Sequence, residues 1–265
     1  MPYYSMINVL VNQKLNEIKT LNVSVDDEMS AKKYLIDNNH FLVVKCGKIK
    51  FLDTSDKRCL SYNASNFKEW IEYFDKDKRL SQHLLNNVIE FERKLNARVA
   101  YYVTTMIEFD ERIDPFIKNE FIYMVNTLQL RKMPIYTGSE TIKFIDSMDF
   151  GQLVHLLEFF SKKSHEYLIK SYIADIVMSM KLSTNNFMNQ LNDLRNLRNN
   201  LAHFTPLNIY LVGELARVNR KKSISIQWRK KTVNFVYKLN VDEKLFNVKT
   251  ELFNCCDRYI HFVNT

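Results

Sequence analysis

Only four glycines and four prolines punctuate the 265 residues of this chain. So few breakers leave little room for tight turns and favour long helices. Gly47, Gly138, Gly151 and Gly213 each stand alone, so no glycine-rich phosphate loop, dinucleotide fingerprint or nucleophile elbow can be assembled from them. That excludes most kinases, P-loop NTPases, Rossmann enzymes and α/β-hydrolases. Cysteine is equally sparse: Cys46, Cys59, Cys255 and Cys256 form no CxxC, and no Cys/His set has zinc spacing. They read as reduced thiols of a cytosolic protein, with no metal and no cofactor implied. Residues 1–21 lack the apolar core and small-residue cleavage site of a signal peptide. No apolar run approaches the roughly 18 residues that span a bilayer, so no membrane association is expected.

What the chain has in quantity is apolar and basic residues. Hydrophobic residues make up 46% and aromatics 13%, ample for a core. The abundance of Asn, Lys, Ile and Phe suggests an AT-rich coding bias and a bacterial, cytoplasmic setting. The net charge is +8. Residues 195–231 carry nine cations (Arg195, Arg198, Arg217, Arg220, Lys221, Lys222, Arg229, Lys230, Lys231) against the single acid Glu214, an excess that equals the whole imbalance. Such a band either keeps a surface soluble or binds a polyanion.

Helical spacing dominates. Leu80, Leu84, Val88, Phe91, Leu95, Val99, Tyr102 and Met106 step by threes and fours, which predicts a long amphipathic helix over 78–107. Ser24-Val25-Asp26-Asp27 predicts a helix start, running to about Asn38, and a second start lies near Ser65. Further helices are expected at roughly 113–131, 139–147, 150–162, 164–181 and 184–203, with a possible restart over 207–220 and a helix in the last twenty residues. Residues 41–52, turning at Cys46-Gly47, read as a hairpin. So does the alternation Ile224/Ile226/Trp228 and Val233/Phe235/Tyr237/Leu239 through Arg229-Lys230-Lys231. The expected fold is mainly α, a helical bundle with one or two small β-hairpins. Its expected segments are 1–60, a helical domain over 61–205 and a basic extension over 206–265.

The most informative stretch is Arg198-Asn199-Asn200-Leu201-Ala202-His203. Phe187, Leu191, Leu194 and Leu201 form one face of the helix that carries it, and Arg198 falls within about 40° of Leu194 on the wheel. A guanidinium in an apolar stripe is costly unless paired. Snorkelling, a carboxylate such as Glu92 at the edge of the long helix, or a bound phosphate would each satisfy it. His203 can exchange a proton near neutral pH. Arg198 and His203 lie about 140° apart on an ideal helix, whereas Asn199 and Arg195 share a face with His203. The pair therefore converges only if the helix ends at Ala202–His203 or if two copies of the chain meet.

Four segments stand out in order along the chain: Asp26-Asp27-Glu28 with Lys33-Tyr34-Leu35; Phe74-Asp75, Arg79-Leu80 and Ile89-Glu90-Phe91-Glu92 up to Arg98-Val99-Ala100-Tyr101; Phe150-Gly151-Gln152-Leu153; and Leu197 to His203. Together they resemble the Abi-like (AbiD/AbiF-type) abortive-infection proteins of bacteria, members of the HEPN ribonuclease superfamily. The chain departs from the family's pattern at Asn39–Val44 and again at Phe204-Thr205-Pro206-Leu207. The resemblance implies a HEPN-type bundle and a site made by two motif copies across a homodimer. It implies metal-independent, toxin-like RNA cleavage in phage defence, leaving 2′,3′-cyclic phosphate ends, with a cognate small RNA as a restraining partner. On that reading Arg198 binds the scissile phosphate, His203 is the general acid or base, Asn199 orients it or contacts RNA, and Glu92 and Arg195 support the site. The basic residues Arg217, Arg220, Lys221, Lys222, Arg229, Lys230 and Lys231 would bind RNA. The rival expectation is a non-catalytic RNA-binding regulator that uses the basic band alone.

Overall fold

The structure, a computed structural model, describes residues 2–55, 61–128, 140–162, 167–213 and 220–264. Among these the chain is mainly helical, with twelve α-helices and two pairs of two-residue strands. The order is α1 (Pro2–Lys19), β1 (Val23–Ser24), α2 (Glu28–Asp37), α3 (His40–Lys50), β2 (Leu52–Asp53), β3 (Ser61–Tyr62) and β4 (Ser65–Asn66). Then come α4 (Phe67–Thr104), a π-helical turn over Thr105–Phe109, α5 (Pro115–Leu128), α6 (Thr141–Asp146), α7 (Phe150–Lys162), α8 (Tyr167–Ser179) and α9 (Phe187–Ala202). Last are α10 (Leu207–Val212), α11 (Arg220–Leu239) and α12 (Glu243–Asn264). No helix among the described residues is long and apolar enough to cross a membrane.

The chain divides into two compact units, residues 1–86 with 197–265, and residues 87–196. The division falls inside α4 and inside α9. The segments expected at 1–60 and 206–265 both belong to the first unit, and 61–205 is shared between the two. In the first unit α10 packs against α3, α11 and α12, around a core that includes Leu15, Val43, Cys46, Trp70, Leu80, Leu211 and Cys256. The second unit buries Val88, Leu95, Phe121, Leu153, Phe160, Ile169 and Leu191, with the Phe121 and Phe160 rings stacked at 5.6 Å.

Caps explain the helix starts. Asp27, not Ser24, caps α2, its carboxylate accepting the Ser30 amide at 3.0 Å, while Ser24 pairs in β1. At α4 a capping box forms: Asn66 accepts the Lys68 amide at 2.9 Å, and Glu69 reaches back to the Asn66 amide at 2.9 Å.

Both hairpins expected at 41–52 and 224–239 are helices instead. Over 41–52, Val43, Cys46, Gly47 and Ile49 are buried, a helical set. Gly47 serves close packing, not a turn, because a Cβ there would lie inside the van der Waals envelope of the Trp70 ring. In α11 the buried positions include Ile226, Lys230, Val233 and Tyr237, spaced by four, three and four, with Thr232 and Val236 beside them. Lys230 faces inward, which the two-residue alternation hid, and Arg229-Lys230-Lys231 contains no turn-forming residue. The strands that do form are an antiparallel pair, Leu52 opposite Tyr62, and a parallel pair, Val23 opposite Ser65.

Candidate nucleic-acid interface

Leu191, Leu194, Leu197 and Leu201 bury one face of α9. Arg198 lies half-buried beside that face, its Nε below the surface, while Asn199 is exposed and Arg195 half-buried. The helix ends where the motif ends. The His203 amide still donates to the Asn199 carbonyl at 3.1 Å, so the backbone keeps its helical path up to the histidine. Phe204 then turns into the left-handed region at φ 57°. Its amide bonds to Leu201 O at 3.0 Å and the Thr205 amide to Asn200 O at 2.9 Å. These are the paired bonds of a Schellman stop, with Phe204 at the position where glycine is usual. A bulky residue there costs about 1–2 kcal/mol. The His203 imidazole is left exposed at the helix end. Because the helical path holds to His203, the motif arginine and histidine keep the wide angular separation of a regular helix, Arg198 turned toward the apolar face and His203 toward solvent.

The chain beyond the histidine is fixed by a residue that the sequence did not single out. Asp77, on α4 and fully buried, accepts the amides of Leu207 at 2.6 Å and Asn208 at 2.9 Å, and the Ser81 hydroxyl at 3.0 Å. It caps α10 from another helix, since Pro206 at the cap position provides no side-chain acceptor. Burial pushes its carboxyl up to about 6, against the lowering effect of the three hydrogen bonds. The signal was present: Asp77 lies one turn before Leu80 on the stripe that also holds Trp70, Phe74 and Leu84. Around Asn208 the polar core continues, the Cys46 thiol donating to its Oδ1 at 3.1 Å, and burial pushes that thiol well up. Cys46, Cys255 and Cys256 are buried free thiols.

The basic band divides. Arg229 Nη1 donates to the carbonyls of Tyr210 at 2.7 Å and Leu211 at 3.5 Å, and the guanidinium lies over the Tyr210 ring. It thus closes the C-terminal end of α10, next to Gly213 at φ 74°. Lys230 is 8% exposed, paired with Asp257 and bonded to the Phe253 carbonyl at 3.3 Å. Both residues are committed to holding α10 and α12. Lys231 is exposed, its ammonium 4.7 Å from the Trp228 ring centre. Arg220, Lys221 and Lys222 form the first turn of α11, and Arg217 lies outside the described residues. Arg198, Asn199 and His203 belong to the first unit; Glu92, half-buried on α4, and Arg195 belong to the second. Among the described residues no set of His, Cys, Asp or Glu comes together in a way that could hold a metal ion.

Beside the motif lies a cavity of about 280 Å³. Leu201, Phe204, Thr205 and Pro206, which flank His203 in sequence, line one side, and residues of α3 and α4 with Asp37 at the end of α2 and the linker Asn38-Asn39 line the rest. No family model, curated protein or solved structure matches this chain.

Proposed function

We propose that this chain is an endoribonuclease that cleaves RNA without a metal, as a toxin-like element of bacterial phage defence in the cytoplasm. The observation that carries the reading is the end of α9: an exposed imidazole, an exposed amide four residues earlier, and a half-buried guanidinium on the same two turns, next to an open cavity. These are the groups that transfer of a phosphoryl bond to a ribose 2′-hydroxyl requires. His203 takes the 2′-hydroxyl proton, O2′ attacks phosphorus, and O5′ leaves with a proton, giving a 2′,3′-cyclic phosphate. Arg198 binds the non-bridging oxygens and stabilises their growing charge. Asn199 orients the imidazole or contacts the strand.

The wide separation of Arg198 and His203 on a regular helix supports a site completed by a second copy of the chain. One copy's imidazole would then act as base while an imidazolium from the other protonates the leaving oxygen. The excess of basic residues over 195–231, with Lys231 exposed beside the Trp228 ring, supports RNA as the partner. The likeness of four segments to abortive-infection proteins supports the defence setting and a cognate small RNA as restraint.

The test is incubation of purified protein with single-stranded RNA in the presence of EDTA, with the product ends analysed. Cleavage to 2′,3′-cyclic phosphates, lost in His203→Ala, is expected. Tight RNA binding with no cleavage under any condition would leave the non-catalytic regulator as the correct reading.

A further inference from the structure

We propose that the cavity beside His203 is a base-binding subsite, in which one unpaired nucleobase of single-stranded RNA stacks on Phe204. This inference rests on the reading of the chain as an RNA-binding protein. Three observations carry it. First, Phe204 is 76% exposed and held at φ 57°, in a Schellman stop that glycine would fill without strain. A large apolar ring that is mostly solvent-facing on a strained backbone adds little burial to its own unit, and such strain gathers at ligand-binding positions. Second, the ring lines a cavity of about 280 Å³ with an apolar side at Leu201 and Leu42, a size that suits one base and not a duplex. Third, the same cavity presents amide groups suited to a base edge. Asn39 uses its Oδ1 on the Phe41 amide, which leaves its N–H₂ to donate. Gln82 gives its Nε2 to Asn86 at 3.1 Å, which leaves its Oε1 to accept.

Charge decides which part of a nucleotide enters. Asp37 and Lys78 both line the cavity, so it holds no net cationic charge, and the Asp37 carboxylate disfavours a phosphate inside. The base therefore goes in and the backbone stays out. Unpaired bases recognised by aromatic stacking and edge hydrogen bonds are the common mode of single-stranded RNA binding. The subsite would set which nucleotide lies next to the cleaved bond.

The experiment uses the full chain and a single-stranded 2′-O-methyl oligoribonucleotide, which cannot be cleaved, with 2-aminopurine at successive positions. Affinity is read by anisotropy and stacking by the quenching of 2-aminopurine. Wild type should quench one position on binding. Phe204→Gly, which the backbone favours and which should raise the melting temperature, is expected to bind roughly 10-fold more weakly and to lose the quenching. Phe204→Trp should restore both. Unchanged affinity and quenching in Phe204→Gly overturns the subsite, and if that variant still cleaves unmodified RNA the nuclease reading stands without it. A change of oligomeric state in Phe204→Gly at unchanged RNA affinity also overturns it, since the cavity would then seat protein. Wild type that binds no RNA removes the subsite and the nuclease reading together.

Discussion

Removing the charge of Asp77 should change how the first unit responds to pH more than how stable it is. Its carboxyl is pushed up from 3.8 to about 6 by complete burial. The folded state therefore binds more protons than the unfolded state between those two values. Stability is highest when the group is protonated and falls as pH rises through about 6. A shift of about two units corresponds to about 3 kcal/mol. Against this stand the amides of Leu207 and Asn208, each of which costs about 1–3 kcal/mol if left buried without an acceptor. Asp77→Asn keeps one acceptor oxygen and removes the ionisation, so the two effects roughly cancel at pH 7, and the variant should lie within about 2 kcal/mol of wild type. The difference between the two proteins, by contrast, should move by about 3 kcal/mol between pH 4 and 7, with wild type losing stability relative to the variant as pH rises. Urea unfolding at each pH gives the number. Tryptophan fluorescence is the right probe because Trp70 and Trp228 both belong to the first unit. A difference that stays flat, or runs in the opposite direction, would refute the account of Asp77 as a buried carboxylate that is ionised only at a cost.

Other substitutions separate function from fold. His203→Ala should reduce RNA cleavage by at least about 100-fold while leaving thermal unfolding unchanged, because the imidazole is exposed; full activity would remove it from the mechanism. Phe204→Gly should stabilise the protein by about 1 kcal/mol by relieving the left-handed backbone, measured by urea unfolding. Lys231→Ala should lower the slope of log affinity against log salt by about one, whereas Lys230→Met should leave that slope unchanged and cost about 1–3 kcal/mol of stability. Gly47→Ala should destabilise by about 3 kcal/mol or more, because the added Cβ meets the Trp70 ring; a neutral result would mean that α3 and α4 separate more easily than their packing suggests.

Long elements were the legible ones. The threes-and-fours stripe from Leu80 to Met106 and the leucines of α9 specify helices through spacing alone, because each residue repeats one buried face. The short apolar runs were not legible. Phe41–Leu52 and Ile224–Leu239 satisfy both a two-residue alternation and a helical period, and the deciding contacts lie far away in sequence. Trp70 requires Gly47 to be bare, and Asp257 with the Phe253 carbonyl turns Lys230 inward. The same holds for the basic band, which reads as nine equivalent cations until Arg229 is seen closing α10 on the carbonyls of Tyr210 and Leu211.

Local order therefore belongs to the sequence: helix content, the helix starts near Asp27 and Ser65, the stop after His203 signalled by Pro206, and the Arg/His motif as a chemical possibility. Partnership belongs to the tertiary structure. Only folding could bring Asp77 under the start of α10, bury Lys230 while leaving Lys231 in water, and open a cavity lined by Leu201 and Phe204 on either side of the histidine in sequence. The reason is that spacing fixes the face on which a side chain emerges, but the protonation, pairing and exposure of that side chain depend on groups 130 or more residues away, as Asp77 and Leu207 or Cys46 and Asn208 are.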